Sequence, residues 1–156
     1  MATPELLRCV LCVKTYDPSE VSYTCPACGP DGTLDVVYDY DSVGDVLSRE
    51  TLASCQEMSM WRYREILPIK DQGNIPALQV GWTPLYSSRK LSEKYSVREI
   101  YIKDDGRNPT GSLKDRASAV GVGKALELGQ GSIACASTGN AASSLSGIAA
   151  VAGLKS

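Results

Sequence analysis

The sequence predicts an α/β protein in which a short cysteine-rich segment precedes part of a parallel-sheet fold, incomplete within these 156 residues. Two observations predict this architecture. Two pairs of cysteines share the spacing CxxC near the N-terminus, and from residue 98 onward short apolar runs alternate with helical patterns. We expect the cysteine segment to occupy residues 1–42, a linker with the first part of the larger fold residues 43–97, and the α/β segment residues 98–156.

Composition and charge exclude several classes of protein. The chain is 43% hydrophobic and 22% charged, which is typical of a globular protein. A formal net charge of -2 gives no basic field for a nucleic-acid partner. Because the sequence shows neither a signal-peptide pattern nor an apolar run of roughly 18 residues, we expect no membrane partner and a cytoplasmic location. Histidine is absent, so no histidine base or metal ligand exists in this chain.

The paired cysteines predict a metal site. Cys9 with Cys12, and Cys25 with Cys28, each offer two thiolates from one tight turn, and four thiolates suit tetrahedral Zn²⁺. In a reducing compartment structural disulfides are disfavoured. The segment is therefore interpreted as zinc-ribbon-like with structural zinc; the alternative is a set of buried cysteines without metal. Residues 33–41 alternate as a strand would.

The middle of the chain predicts short elements. Residues 43–54 read as a helix, residues 81–88 as a turn followed by an extended piece, and residues 89–96 as a surface helix. The aromatic and arginine-rich run at residues 60–68 is interpreted as a packed linker rather than an RNA-binding patch, because it is short and acidic residues flank it.

The pattern becomes regular from residue 98. Residues 98–103 and 132–136 read as strands, and helical patterns run from Leu113 to Leu128 and from Ala141 to Ala152. A strand, loop, helix order that occurs twice predicts a right-handed crossover in a parallel sheet. Both loops would then lie beyond the carboxyl ends of the strands, where open α/β folds bind ligands.

The first loop predicts a reactive lysine. Ser112 and Asp115 have the spacing of a capping box that opens a helix at Leu113. Lys114 would lie in the first turn, where the helix macrodipole favours the neutral amine that Schiff-base chemistry needs. The alternative is an ordinary surface lysine. The carboxylates of Asp104 and Asp105 are interpreted as turn formers.

The second loop, residues 137–140 with the sequence STGN, combines hydroxyls, a glycine and a helix start. Such a combination can hold an anion such as a carboxylate. The alternative is a serine-rich helix cap without a ligand. Taken together, the two loops would place an amine and an anion site at one cleft.

These residues are similar to those of a known family. Residues 103–118, KDDGRNPTGSLKDRAS, resemble the lysine segment of the threonine synthase family of pyridoxal-phosphate (PLP) enzymes, whose pattern reads NPTGSFKDR, and STGNAASSL resembles its substrate loop. The segments MWRYREILP and GWTPLY, and the double CxxC block, also resemble parts of the family. The resemblance implies a fold of type II among PLP enzymes.

The resemblance also implies roles for individual residues. Lys114 would bind PLP covalently and then transfer protons, and Asn140 would hydrogen-bond the 3-hydroxyl oxygen of the cofactor ring. A larger set would bind the substrate, at its carboxylate and at its phosphate: Ser137, Thr138, Gly139 and Ala141, then Asn108, Ser112 and Arg116.

The implied activity is a lyase reaction, conversion of O-phospho-L-homoserine and water to L-threonine and phosphate, the last step of threonine biosynthesis, in an enzyme that would form a homodimer. Leu113 departs from the phenylalanine of the family pattern. In the family the glycine-rich loop for the cofactor phosphate follows later in the chain. We therefore expect the 156 residues alone to be an inactive N-terminal portion.

Two alternatives remain open at this point. Cysteate synthase and threonine dehydratase are related PLP enzymes with a similar lysine and loop. A hypothesis of another class is a non-catalytic zinc-ribbon binding module, which the acidic balance and the two loops disfavour.

Overall fold

The structure is a computed structural model that describes residues 6–21 and 23–156. These residues form two compact units, one comprising the described residues up to Gln56 together with Tyr63–Lys70, and the other Glu57–Arg62 and Asp71–Ser156. The helices and strands, in chain order, are β1 Leu6–Cys9, β2 Thr15–Tyr16, β3 Leu34–Val37, α1 Tyr40–Val46, α2 Arg49–Ser54, β4 Leu85–Ser87, α3 Arg89–Tyr95, β5 Tyr101–Lys103, α4 Lys114–Glu127 and α5 Asn140–Val151. In the part of the chain that the structure describes, no helix has both the length and the apolarity needed to span a membrane.

The first unit contains a three-stranded antiparallel sheet in the order β2, β1, β3. Leu7 lies opposite Tyr16 on one side and Val36 on the other. The strand predicted at residues 33–41 is confirmed for Leu34–Val37. It ends before Asp39, because that carboxylate accepts hydrogen bonds from the amides of Asp41 and Ser42 and so starts α1.

The helix predicted over residues 43–54 forms as two helices rather than one. Leu47 leaves the helical conformation at the end of α1, and Ser48 then opens α2 through a capping box with Thr51. The Ser48 hydroxyl accepts from the Thr51 amide at 3.1 Å, and the Thr51 hydroxyl accepts from the Ser48 amide at 2.8 Å. Local capping groups therefore divide a continuous helical pattern.

The second unit contains a two-stranded antiparallel sheet made of β4 and β5. Leu85 lies opposite Lys103, and Ser87 lies opposite Tyr101. The extended piece predicted within residues 81–88 and the strand predicted at residues 98–103 are both confirmed, each over three residues. The surface helix α3 connects them and ends at Ser96 in the left-handed conformation.

Helices α4 and α5 pack directly against each other and supply the core of the second unit. The fully buried apolar side chains on the two helices are small or β-branched, and they are Ala119, Val122, Ile148 and Ala149. Small residues let the helix axes approach closely. Burying the larger side chains, Val122 and Ile148, stabilises this pair by roughly 1.5–3 kcal/mol each. The two predicted helices are confirmed, with bounds shifted by one residue at each end.

The parallel sheet that the sequence predicts is not confirmed, although the mixed α/β class is. Both sheets among the described residues are antiparallel. Residues 132–136 form no strand, and their sheet-like pairing is one isolated parallel bridge between Ser132 and Lys155. An apolar run becomes a strand only where neighbouring strands accept its hydrogen bonds. In residues 132–136, the amide of Ile133 makes a bond of this kind, donating to the carbonyl of Lys155 at 2.8 Å.

Candidate cofactor and metal sites

The four cysteines of the two CxxC pairs converge in the first unit. The sulfur atoms of Cys9, Cys12, Cys25 and Cys28 all lie within 4.8 Å of one another, and the sulfurs of Cys12 and Cys25 are 3.6 Å apart. In a tetrahedron with Zn–S bonds of about 2.3 Å, neighbouring sulfurs are about 3.8 Å apart. The geometry of this cluster therefore fits the metal that its sequence predicts.

Each cysteine pair is held in a tight turn by its own backbone. The first pair begins at the last residue of β1, and the amide of Val13 donates to the carbonyl of Cys9 at 3.0 Å. The second pair repeats this arrangement, with the amide of Gly29 donating to the carbonyl of Cys25 at 2.8 Å. The residue after each second cysteine has a positive φ, 61° at Val13 and 67° at Gly29.

A glycine fits between the ligands of the second pair. Gly32 is buried, and its carbonyl accepts from the amide of Cys25 at 2.8 Å. A Cβ atom at this position would lie 2.7 Å from the Cβ of Cys25 and 2.8 Å from the Cβ of Cys28. Any side chain at Gly32 would therefore displace two of the four sulfurs.

The electrostatics of the cluster also favour a cation. A hydrogen bond from the Tyr16 hydroxyl, 3.0 Å from the Cys25 sulfur, lowers the pKa of Cys25 to about 6. The neighbouring cysteines, Cys12 above all, raise the pKa of Cys28 to about 12. Four thiolates at this separation repel one another, so a bound cation is needed for all of them to ionise together.

The predicted cofactor lysine begins helix α4 in the second unit. Lys114 is the first residue of α4, its amide donates to the hydroxyl of Ser112 at 3.1 Å, and its side chain is exposed. Gly111, three residues before Lys114, has a φ of 76°, which makes the sharp bend that the sequence predicts before the helix. An exposed amine at a helix N-terminus fits the covalent partner that PLP requires.

The predicted capping box at this helix is wrong in one half. Ser112 does accept a hydrogen bond from the first turn, but the carboxylate of Asp115 does not reach back to it. Instead, that carboxylate accepts from the amide of Thr110 at 2.8 Å and from the Thr110 hydroxyl, and the helix starts at Lys114 rather than Leu113. A turn that brings Thr110 above the helix offers Asp115 two donors, and these compete successfully with one capping bond.

The base of the lysine loop is closed by an ion pair. Arg116 donates to Asp105 through Nε at 2.9 Å and through Nη2 at 2.8 Å, and the hydroxyl of Thr83 donates to the same carboxylate at 2.6 Å. The guanidinium of Arg116, aided by Thr83, lowers the pKa of Asp105 to about 2 against the opposing effect of burial. A bidentate pair of this kind fixes both position and orientation.

Asn108 also holds the loop to the rest of the unit. Its side chain is buried, accepts from the amide of Gly81 at 2.9 Å and donates to the carbonyl of Asp105 at 2.8 Å. Two residues predicted to bind the substrate phosphate, Asn108 and Arg116, therefore have protein partners. The third, Ser112, is buried and accepts from the amide of Lys114.

The second predicted loop leads into helix α5. Ser137, Thr138, Gly139 and Asn140 are exposed, and the amide of Gly139 donates to the hydroxyl of Ser137 at 3.2 Å. Asn140 is the first residue of α5, and Ala141 follows it. The structure thus places this loop at a helix start, as predicted, and brings its helix against α4, which carries Lys114.

Several residues with clear structural roles at this site were not predicted from the sequence. Asp105 was interpreted as a turn former, and no role was given to Thr83, Thr110 or Gly81. A carboxylate eleven residues before an arginine carries no local signal of pairing. The capping-box spacing does single out Asp115, but it pairs that carboxylate with the amide of Ser112 rather than with the amide and hydroxyl of Thr110.

Comparison with known proteins places the chain in a family. The sequence pattern of the family described as "Pyridoxal-phosphate dependent enzyme" matches residues 77–156, about half of the chain. The chain therefore belongs to the pyridoxal-phosphate dependent enzymes. The matched region includes the lysine loop and the STGN loop.

Individual relatives extend the similarity to nearly the whole chain. The chain is 47% identical to the threonine synthase of Methanocaldococcus jannaschii over 96% of its own length and 36% of that enzyme. It is 44% identical to the threonine synthase of Methanosarcina acetivorans over 95% of its length and 35% of the relative. A third, from Halalkalibacterium halodurans, is 42% identical over 63% of this chain. The chain thus spans about a third of the length of the first two relatives.

Proposed function

We propose that this chain is the lysine-bearing portion of a PLP-dependent threonine synthase, which converts O-phospho-L-homoserine and water to L-threonine and phosphate. The observation that carries the proposal is the 47% identity to a threonine synthase over 96% of the chain. A similarity limited to the family pattern would support a PLP enzyme of any specificity. The similarity here also covers the cysteine cluster, and that cluster together with the lysine segment favours threonine synthase, or the related cysteate synthase, over other PLP enzymes.

The proposed catalytic residue is Lys114. Bound PLP supplies a pyridine ring that withdraws electrons from the substrate. The amine of Lys114 would bind the cofactor, and after release it would accept a proton from the substrate carbon and return it at another carbon. Its exposure and its place at the first residue of α4 support this role, because a buried or ion-paired amine would be unavailable.

The second loop is proposed to bind the substrate carboxylate and to orient the cofactor ring. Asn140 would donate to the 3-hydroxyl oxygen of the ring, and the substrate carboxylate would be held by the remaining loop residues, Ser137, Thr138, Gly139 and Ala141. Exposed polar groups at the start of α5 support this proposal, because a helix N-terminus favours an anion. For the phosphate, Ser112 lies beside Lys114, whereas Asn108 and Arg116 would contribute mainly by holding the loop.

A structural Zn²⁺ in the cysteine cluster is part of the proposal. The four sulfurs within 4.8 Å of one another support it, and the metal would hold the two cysteine turns together rather than act on the substrate. A cytoplasmic location is consistent with cysteines kept as thiols. The homodimer rests on the family resemblance alone.

The test of this function uses a chimera in which residues 1–156 replace the corresponding part of the Methanocaldococcus jannaschii enzyme. We expect the chimera to release phosphate and form threonine from O-phospho-L-homoserine. Lys114→Ala should reduce kcat by at least about 1000-fold, because it removes both the cofactor attachment and the proton carrier. The control is Lys90→Ala, which removes an exposed lysine of helix α3 and should leave the rate unchanged.

The same assay separates the alternatives. Turnover of phosphoserine with sulfite, and none of O-phospho-L-homoserine, would contradict the proposal in favour of a cysteate synthase. Full activity in the Lys114→Ala chimera would contradict the assignment of the lysine.

A further inference from the structure

One buried charge in the second unit has no part in the proposed reaction. Asp115 is 0% exposed and is the second residue of α4. Its carboxylate accepts two hydrogen bonds, both from Thr110, through the amide at 2.8 Å and through the hydroxyl. Removing a carboxylate from water is costly unless it is well hydrogen-bonded, so Thr110 must stay in place for Asp115 to remain buried.

The other face of Thr110 meets helix α5. A Cβ atom added at Gly147 would lie 2.9 Å from the Thr110 methyl carbon Cγ2, which is closer than carbon atoms approach in proteins. Thr110 lies in the loop that leads to Lys114, and Gly147 lies two turns into α5, the helix that Asn140 begins. The methyl group therefore fits against α5 only because residue 147 has no side chain.

Thr110 cannot easily move away from such a clash. Its side chain is branched at Cβ, so the rotamer that places the hydroxyl on Asp115 also fixes the direction of the methyl group. A rotation that relieves the methyl would leave the buried carboxylate with one donor. A Gly→Ala substitution inside a helix normally stabilises the helix, whereas at Gly147 the clash with Thr110 makes the same substitution destabilising.

We propose that Asp115, Thr110 and Gly147 form a positioning contact that holds the Lys114 loop against α5. We refer to these three residues as the Thr110 contact. The carboxylate orients the threonine, and the threonine methyl sets how closely the loop approaches the helix. The link from this contact to the cofactor rests on the proposed function, whereas the contact itself rests on the distances alone.

The experiment is a double-mutant cycle in the 156-residue chain. Gly147→Ala adds the clashing methyl, and Thr110→Ser removes Cγ2 but keeps the hydroxyl that serves Asp115. The matched control is Gly121→Ala in α4, where an added Cβ meets nothing within 4 Å. Amide hydrogen exchange of residues 106–114 is measured by mass spectrometry, together with the thermal unfolding midpoint.

We expect Gly147→Ala to accelerate exchange in residues 106–114 by at least about tenfold, and Gly121→Ala to leave it unchanged or slower. In the Thr110→Ser background, Gly147→Ala should accelerate exchange by less than about threefold, because the clashing atom is gone. Equal acceleration in both backgrounds would overturn the proposal. So would normal exchange in the Gly147→Ala chain.

A second readout joins the contact to the cofactor. PLP is titrated into the chimeric enzyme and its dissociation constant is followed by absorbance. Gly147→Ala should raise the constant by about tenfold, and Thr110→Ser in the same molecule should restore it. A dissociation constant that the cycle leaves unchanged would overturn the link to Lys114. If the unsubstituted chimera bound no PLP, the proposed function would fail while the exchange results still decided the contact.

Discussion

The cysteine cluster and the lysine loop are two candidate sites built in different ways. In the cluster, four sulfurs from two turns converge within 4.8 Å. In the lysine loop, buried and half-buried polar side chains bond to neighbouring side chains and backbone groups, while Lys114 and the STGN loop remain exposed. The cluster thus brings four candidate ligands for one ion together within about 20 residues, whereas the lysine loop presents one exposed amine on a hydrogen-bonded frame.

This difference determines which substitutions each site should be sensitive to. A closed metal site depends on every ligand and on the space between the ligands. A single presented group depends on the frame that holds it, and that frame includes residues with no proposed ligand contact, such as Asp105 and Thr110. We therefore expect the loss of one sulfur in the cluster to have a larger effect than a substitution in the frame of the lysine loop.

Loss of one cysteine should have the largest effect. Cys25→Ser replaces a buried ligand, and we expect zinc content to fall from about one ion per chain to near zero, with a loss of several kcal/mol of folding free energy in the first unit. Zinc is measured by mass spectrometry of the metal and unfolding by circular dichroism. Cys55→Ser, outside the cluster, is the control. Unchanged zinc content in the Cys25→Ser chain would exclude this metal site.

Filling the space between the ligands should be the next largest effect. Gly32→Ala adds a Cβ within 2.8 Å of two ligand side chains, so we expect zinc affinity to fall by about 10–100-fold in chelator competition. Gly29→Ala is matched to it, because Gly29 has a positive φ but nothing within 4 Å of an added Cβ. It should cost about 1 kcal/mol of stability and little affinity. Equal losses of affinity in both chains would show that space is not the cause.

Breaking the frame of the lysine loop should destabilise less. Asp105→Asn removes the ion pair with Arg116, and we expect the free energy of unfolding to fall by about 1–2 kcal/mol at neutral pH. This is less than the pKa shift alone would give, because both side chains are partly exposed and water screens their attraction. The folded pKa of Asp105, about 2, lies below its ordinary value of 3.8. The stability that the pair contributes is therefore present above about pH 4 and is lost as pH falls towards 2.

The measurement is the difference in unfolding free energy between the unsubstituted and Asp105→Asn chains at several pH values. The difference removes the acid sensitivity of the cysteine cluster, which both chains share. It should shrink between about pH 4 and 2. A difference that stays constant over that range would contradict the depressed pKa.

Relief of backbone strain should have the smallest effect, and it should be favourable. Val13 has a φ of 61°, which a β-branched residue adopts only at a cost. Val13→Gly should stabilise the first unit by up to about 1 kcal/mol in urea unfolding, because glycine adopts a positive φ without strain. Gly29, the equivalent residue after the second cysteine pair, already has this conformation. A destabilised Val13→Gly chain would show that the valine side chain contributes more through packing than its strain removes.

Much of this architecture could be predicted because it depends on neighbours in the chain. The CxxC spacing predicts two turns with converging sulfurs, and the structure places them so. The apolar spacing after Leu113 predicts α4, and the small-residue run after Asn140 predicts α5. The partners of the Asp115 carboxylate could not be predicted, because the local spacing offers it the amide of Ser112 and only the turn brings the amide and hydroxyl of Thr110 to it.

Sequence patterns alone were sufficient for the four-cysteine cluster, the helix that carries Lys114 and the family resemblance, since each rests on residues a few positions apart. Long-range packing was needed for the pairing of Arg116 with Asp105, the direction of the strands and the glycines at positions 32 and 147. The physical reason is steric. Whether a methyl group fits, or which carboxylate meets a guanidinium, depends on atoms that distant segments bring together, and no local pattern records their approach.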